Sequence, residues 1–217
     1  MSTQTKTIAF HTLGCKLNFS ETSTISRDFV QHGFEKVDYR DKADIYVINT
    51  CSVTENANKE ARKLIRKAKR RNPDSSVVVI GCYAQLKPKE IAEMDGVDMV
   101  LGSEEKFNIL DHIDKISMEQ DTMVIQSCIE HVNEFRPSYS IGERTRSYLK
   151  IQDGCDYTCS FCTIPLARGK SRSDNIINTM KVAQEVANGG TKEIVLTGVN
   201  VGDYGKDSDD SFQDLLT

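Results

Sequence analysis

The sequence lacks any apolar run long enough to cross a membrane. Its longest uninterrupted apolar stretch lies around Val77 to Ile80, far short of the ~20 residues that a spanning helix needs. The first ten residues, MSTQTKTIAF, also lack the basic and then apolar pattern of a secretory signal. No internal repeat or low-complexity tract is present. We therefore expect a cytoplasmic protein with no membrane partner.

An excess of positive charge is lacking as well. The net charge is -4, which argues against a generally basic nucleic-acid binder but leaves room for a local basic face. Seven cysteines are an odd number for a disulfide framework, and a reducing compartment disfavours disulfides. Metal binding or catalysis is the better explanation of these thiols. At 217 residues the chain can form one or two domains with a real core.

Apolar, β-rich runs alternate with helical patterns in the first part of the chain. The runs are TIAFHT, DIYVINT, SVVVIG, VDMVLG and TMVIQS, and the helical patterns cover 18–31, 54–71, 87–94 and 104–115. Strands that alternate with helices predict an α/β fold with a doubly wound, mainly parallel sheet. We assign residues 1–130 to this N-terminal domain.

The helix at 54–71 has the clearest pattern of these elements. Ser52 and Glu55 fit a capping box, and Asn72-Pro73 ends the helix. Its apolar stripe is formed by Ala57, Ala61, Leu64 and Ala68. Within this helix, the segment KEARKLIRKAKRR carries eight basic residues and one acidic residue. Such a surface can engage phosphates, and a solvated amphipathic helix explains it equally well.

The regular pattern breaks beyond Gln126. The segment EHVNEFRPSYSIGERTR has no clean periodicity, so we place a linker at 131–146. SYLKIQ then predicts a strand, 173–188 a helix and EIVLTGVN a second strand. A lone βαβ unit cannot bury both of its faces. We therefore expect the chain to be the N-terminal part of a longer protein.

Three cysteines are crowded into GCDYTCSFC. Cys155, Cys159 and Cys162 have the spacing C-x3-C-x2-C, which lets three thiolates of one loop surround an iron-sulfur cluster. Structural zinc normally requires a fourth protein ligand, and none is close in the sequence. A distant histidine remains an alternative, and the candidates are His11, His32, His112 and His131.

Three other cysteines are far apart in the sequence but share one context. Cys15, Cys51 and Cys82 each follow directly on a predicted strand. In a parallel sheet these three loops emerge at the same carboxyl edge, where α/β proteins build their sites. The alternative is three unrelated buried cysteines. Cys128 has no comparable context, and we interpret it as an ordinary packing residue.

The loop motif, with Phe161 before its last cysteine, closely resembles the signature of the radical S-adenosylmethionine superfamily. Together with the N-terminal cysteines, the chain resembles the methylthiotransferase family within it. The likeness extends over nearly the whole chain, through TLGCKLNFSE, YVINTCSVTENA, VVIGCYAQ, YLKIQDGCDYTCSFCTIPLARGKSRS and EIVLTGVNVGDYG. The resemblance implies that 147–217 begin a partial (β/α) barrel, whose remainder and C-terminal RNA-binding β domain are absent here.

The resemblance also implies the cofactors and their ligands. Cys15, Cys51 and Cys82 would hold an auxiliary [4Fe-4S] cluster, and Cys155, Cys159 and Cys162 a radical [4Fe-4S] cluster. Two molecules of S-adenosyl-L-methionine would be used, one as methyl donor and one as radical source. Phe161 would lie near the adenine, and Arg168 near the radical site. The usual Gly-Gly-Glu segment is replaced by TGVN, so Gly198 and Asn200 become the candidate contacts there.

The family divides by substrate into three branches. They act on isopentenyladenosine in tRNA, on an aspartate of a ribosomal protein, or on threonylcarbamoyladenosine beside the tRNA anticodon. GCKLN, NTCSVT and GCYAQ resemble the third branch. The implied partners are tRNA, an electron donor such as flavodoxin, and a sulfur source. The alternatives are the other two branches, or a noncatalytic flavodoxin-like domain that binds metal.

Overall fold

The computed structural model describes residues 5–51, 55–116, 121–142 and 145–217. The strands are β1 Thr7–Thr12, β2 Glu35–Val37, β3 Ile45–Thr50, β4 Ser76–Gly81, β5 Met99–Leu101, β6 Met123–Ile125, β7 Ser138–Tyr139, β8 Ser147–Lys150, β9 Gln152–Asp153, β10 Arg172–Ser173 and β11 Ile194–Thr197. The α-helices are α1 Lys16–Gln31, α2 Glu55–Arg71, α3 Cys82–Leu86, α4 Pro88–Ala92, α5 Leu110–Ile113, α6 Ile164–Arg168, α7 Ile176–Asn188 and α8 Phe212–Leu216. Single turns of 3-10 helix lie at Glu105–Asn108, Ile129–His131 and Val201–Asp203.

The first six strands form one parallel sheet in the order β2-β1-β3-β4-β5-β6. This confirms the predicted α/β fold with a doubly wound sheet. Every residue of β3 is buried, and so is all of β4 after its first residue. Central strands of a parallel sheet are covered by helices on both faces, which is why their sequences are apolar without alternation.

Two apolar layers cover the sheet. On one face α2 buries Ala61, Leu64 and Ala68 against the strands. This confirms three of the four predicted stripe residues, and Ala57 is only partly buried. On the other face α1 contributes Ile25 and Phe29. The proposed capping residue Ser52 lies outside the described residues. Within the described part of the chain, no helix is long and apolar enough to cross a bilayer.

The helix expected over 87–94 is divided differently in the structure. Helix α3 begins directly at Cys82, and α4 begins at Pro88. Proline is favoured at the first position of a helix but cannot continue one, because it has no N–H to donate. Pro88 therefore ends α3 and starts α4, and the chain turns sharply beside the carboxyl end of β4.

The second part of the chain is a smaller sheet. Strands β8 and β11 are parallel and connected through α7, and β7 is antiparallel to β8. The expected βαβ unit is therefore present. Its completion into a barrel stays a prediction, as do the boundaries 1–130, 131–146 and 147–217. Within the predicted linker, β7 is fastened to α1, because Tyr139 N donates to Thr24 Oγ1 over 3.0 Å.

A buried carboxylate joins the two parts. Glu21 on α1 is fully buried and accepts from Lys106 Nζ at 2.7 Å, Lys150 Nζ at 3.2 Å and Arg168 Nη1 at 3.1 Å. Burial alone would raise the pKa of Glu21, but the three cations hold it far below its usual value. The carboxylate is therefore ionised throughout the physiological range, and it binds α1 to β8 and α6.

Gly81 limits how the chain leaves β4. Its φ is +97°, and a Cβ at this position would lie 2.5 Å from Thr50 O in β3. Gly33 has a similar φ of +87° with no atom within 4 Å of such a Cβ.

We expect Gly33→Ala to cost about 1–2 kcal/mol of unfolding free energy, the cost of the left-handed backbone. Gly81→Ala should cost about 3 kcal/mol or more, because a backbone clash is added.

Urea unfolding of the two variants measures this difference directly. Gly33→Ala is the matched control, since both substitutions add one methyl group at a left-handed glycine. Equal losses of stability would show that β3 and β4 are not held as closely as described.

Replacement of Glu21 by Gln tests the joint between the two parts of the chain, which consists of the buried ion pairs of Glu21. The variant leaves three cations without their common partner, so we expect it to lose about 3–5 kcal/mol at pH 7. The folded-state pKa lies below the ordinary value of 4.5, so the stabilisation is complete above pH 4.5 and declines as the pH falls below it. The stability gap between the parent and the variant should therefore stay constant from about pH 8 to 5.5 and narrow in more acidic solution.

The exposed Glu35→Gln serves as the control for this pH series. It should change stability little at any pH. A gap for Glu21→Gln that widens on acidification would contradict the assigned ionisation.

Candidate functional site

Three cysteines lie at the carboxyl edge of the parallel sheet. Cys15 follows β1 and caps the N-terminus of α1, Cys51 follows β3, and Cys82 begins α3 after β4. These strands are neighbours in the sheet. The strand order reverses between β1 and β3, and ligands of open α/β sheets bind at such a switch point. The topology thus collects the three loops that the sequence analysis singled out.

The first two of these loops are in close contact. A Cβ built on Gly14, whose φ is +96°, would lie 2.9 Å from Cys51 Sγ. Only a glycine lets the Cys51 thiol lie this close to the loop before Cys15. Asn18 holds the same two loops, since its Nδ2 donates to Leu13 O at 2.9 Å and to Thr50 O at 3.1 Å. Asn18 lies within the quoted GCKLN motif, but sequence reasoning assigned it no role.

The thiols of this strand-end triad differ in exposure. Cys15 is exposed, whereas Cys51 and Cys82 are buried. All seven cysteines are free thiols. The prediction that Cys128 is a packing residue is wrong, because its side chain is exposed. Strand β6 ends at Ile125, so Cys128 lies in the following loop and not on the buried sheet.

The loop triad extends from β9 to α6. Cys155 and Cys162 are partly buried, and Cys159 is exposed. The loop is fixed at its start, where Cys155 N donates to Gly169 O at 3.0 Å, and it turns where Cys162 N donates to Cys159 O at 3.1 Å. Phe161 is 91% exposed. A large aromatic side chain that leaves the core in this way is available to cover a ligand.

A buried amide connects the loop triad with the end of β11. Gln152 Nε2 donates to Gly154 O at 2.8 Å, and Asn200 N donates to Gln152 Oε1 at 2.8 Å. A Cβ on Gly198 would lie 2.9 Å from the same oxygen. Gln152 therefore brings the candidate contacts Gly198 and Asn200 to the side of the cysteine loop. Nothing in the sequence marks this glutamine, which lies in an ordinary strand pattern.

Arg168 lies at the end of α6, and its guanidinium is turned toward the N-terminal domain. It is 2% exposed, with Nη1 donating to Asp153 Oδ1 at 2.8 Å and Nη2 donating to Asn18 Oδ1 at 2.6 Å. It also makes a two-pronged pair with Glu21, at 3.1 and 3.3 Å. Its role near the cofactor stays a prediction. The structure shows in addition that Arg168 contacts Asn18, which holds the loops of Cys15 and Cys51.

A cavity of about 850 Å³ opens beside Cys155. Pro165 and Leu166 provide apolar walls. The charged part of the lining is mixed, with three basic residues, Lys170, Arg172 and Lys206, and five acidic ones, Glu130, Asp156, Asp174, Asp203 and Asp207. Its size lies within the range of small-molecule sites. Cys155 is the one predicted site residue that lines this cavity, so the cavity and the positions of Phe161, Gly198 and Asn200 do not coincide.

The thiols suit a metal centre by their chemistry but are not gathered into one. Over the described ranges, no three Cys, His, Asp or Glu side chains are drawn together closely enough to hold a metal ion. The donor chemistry nevertheless suits iron-sulfur clusters, because each set offers three free thiols and at least one of them is exposed. Because Gly14 has no side chain, Cys51 can also lie against the loop that carries Cys15.

Comparisons with known proteins show which sequences this chain is similar to. Residues 7–102 match a family described as Uncharacterized protein family UPF0004. The chain is 44% identical over 216 residues to threonylcarbamoyladenosine tRNA methylthiotransferase MtaB of Bacillus subtilis (strain 168), covering 97% of this chain and 48% of that protein. The enzyme of the same name from Aquifex aeolicus (strain VF5) is 40% identical, with 97% of this chain and 52% of that protein covered.

A relative with another name is less similar. The tRNA-2-methylthio-N(6)-dimethylallyladenosine synthase of Akkermansia muciniphila is 30% identical, with 90% of this chain and 47% of that protein covered. The chain spans about half the length of the curated relatives it matches. The chain is thus similar to methylthiotransferases along nearly all of its own length, and both cysteine sets stand in the order that the resemblance of its motifs implies.

Proposed function

We propose that this chain is the cluster-binding part of a cytoplasmic tRNA-modifying enzyme. The reaction is insertion of a methylthio group at C2 of N6-threonylcarbamoyladenosine next to the anticodon. The observation that carries this assignment is the similarity to enzymes named for that nucleoside, 44% and 40% identical, against 30% for the dimethylallyladenosine synthase. The isopentenyladenosine alternative is supported only by these lower identities, 30% and 32% for two dimethylallyladenosine synthases.

The two cysteine sets have separate tasks in this proposal. Cys15, Cys51 and Cys82 would hold an auxiliary [4Fe-4S] cluster, and the loop triad of Cys155, Cys159 and Cys162 would hold the radical [4Fe-4S] cluster. When bound, the latter supplies the electron that turns S-adenosyl-L-methionine into a hydrogen-abstracting radical, which is chemistry that no side chain can perform. The electron comes from a donor such as flavodoxin, and the sulfur from a separate source.

The other site residues orient the cofactor and exclude water. Phe161, exposed between the last two cysteines of the loop, would lie over the adenine and shield the radical from solvent. Gly198 and Asn200 would contact the cofactor from the end of β11, where Gln152 holds the backbone. A methyl group at Gly198 would clash with Gln152, so only glycine allows this approach.

A modification assay distinguishes the substrate branches. In cells that lack the complete gene, tRNA nucleosides are identified by mass spectrometry after complementation with the parent, Cys159→Ala or Cys51→Ala. We expect both variants to lose methylthiolated threonylcarbamoyladenosine completely, because a cluster with two cysteine ligands is not held in place. Cys128→Ala, which removes an exposed cysteine outside both sets, should retain the modification and is the matched control.

Two outcomes of this assay would contradict the proposal. Loss of the isopentenyladenosine derivative alone would move the enzyme to the sister branch. Full modification by both cysteine variants would show that neither set holds a required cluster.

The basic face of α2 supports an RNA substrate. Arg66, Lys67 and Arg70 are exposed there, opposite the buried alanine and leucine stripe. We expect Lys67→Glu in the intact protein to weaken tRNA binding several-fold, because one phosphate contact is lost. The slope of log K against log salt should become shallower by about 1.

Lys181→Glu, an exposed charge reversal on α7, is the control for this binding measurement. It has the same effect on net charge but lies in the other part of the chain. Equal weakening by both variants would indicate a net-charge effect and would remove α2 from the proposed interface.

A further inference from the structure

The joint between the two parts of the chain contains an unbalanced set of buried charges. Glu21 and Asp153 are the two carboxylates of this cluster, and Lys106, Lys150 and Arg168 are its three cations. None of these side chains is more than 5% exposed. An uncompensated charge away from water is costly. The excess positive charge therefore calls for a further anion nearby.

Glu104 and Glu134 line a small cavity with Lys150 and Asp153, whereas Arg168 reaches toward the strand-end triad. Arg168 Nη2 donates to Asn18 Oδ1 at 2.6 Å, and the same oxygen faces Cys15 Sγ at 3.9 Å. The orientation of the Asn18 amide is fixed, because its Nδ2 donates to two backbone carbonyls. The guanidinium is therefore separated from the Cys15 thiol by a single amide oxygen.

Cys82, the third cysteine of the set, lies on a helix that packs against the helix of Arg168. Helix α6, which ends at Arg168, packs against α3, which begins at Cys82. Burial alone would lower the pKa of Arg168, but its ion pairs with Glu21 and Asp153 keep it well above its usual value. The charge of Arg168 is thus permanent.

We propose that Arg168 is a positioning residue for the strand-end site, to which it supplies a compensating positive charge from the segment that carries the loop triad. This rests on the proposed function, in which Cys15, Cys51 and Cys82 hold a cluster. A thiolate-bound cluster becomes more negative on reduction, so a buried cation beside it raises its reduction potential. The same side chain joins the two cysteine sets, since it lies six residues beyond Cys162.

The test observes the strand-end site alone. In the complete protein, Cys155, Cys159 and Cys162 are replaced by Ala, and the remaining cluster is reconstituted without oxygen and titrated with its EPR signal as the readout. We expect Arg168→Gln to move the reduction potential to a more negative value and to change the EPR spectrum. Arg172→Gln is the matched control, because Arg172 also pairs with Asp153 but is 12% exposed and has no pair with Glu21. It should produce a clearly smaller shift.

A conservative variant keeps the test decisive if Arg168→Gln does not fold. Arg168→Lys retains the charge but cannot reach Glu21 and Asn18 at once, so it should give a smaller shift in the same direction. Unchanged potentials, or equal shifts for the Arg168 and Arg172 variants, would overturn the role of Arg168 while leaving the proposed function intact. Failure of the triple-alanine parent to form any iron-sulfur centre would overturn both.

Discussion

One buried carboxylate, Glu21, holds the two parts of this chain together. Its three cations come from a 3-10 turn of the N-terminal domain, from β8 and from α6. The helix that carries Glu21 begins immediately after Cys15, and the helix that carries Arg168 follows the loop triad. A shift of this joint would move both cysteine sets. Ion pairs in such a place contribute little net stability over an apolar contact, so geometry is the better reason for their presence.

The two cysteine sets are built by different means. The loop triad depends on local sequence spacing, and a glycine and a buried amide fix the ends of its loop. The strand-end triad depends on the sheet, because its three loops follow neighbouring parallel strands and Asn18 holds the first two of these loops. Arg168 belongs to the first set by sequence and contacts the second, so the joint is also the shortest connection between them. The proposed function uses both clusters in one reaction, which would require their relative position to be fixed.

The central sheet was predictable because its strands are buried on both faces and are therefore continuously apolar. The edge strand β2 was missed, since Glu35 and Lys36 are exposed and its sequence shows no apolar run. The positions of Cys15, Cys51 and Cys82 at the carboxyl edge of the sheet were also predictable, because each follows a strand. Their role as cluster ligands stays a prediction. The buried ion pairs between the two parts of the chain were not predictable from the sequence. Glu21 and Arg168 are 147 residues apart, and residues of both types usually lie on the surface. Such residues become recognisable only when the fold removes them from water.

The central claim is that the two sets of three cysteines form two separate iron-sulfur sites. Iron and sulfide analysis with Mössbauer spectroscopy on the anaerobically reconstituted, complete protein tests it most directly. The account predicts about eight iron atoms per chain in two four-iron clusters, and about half of that iron after either set is replaced by alanine. Loss of all iron on replacement of one set would contradict it, as would zinc without iron in the parent.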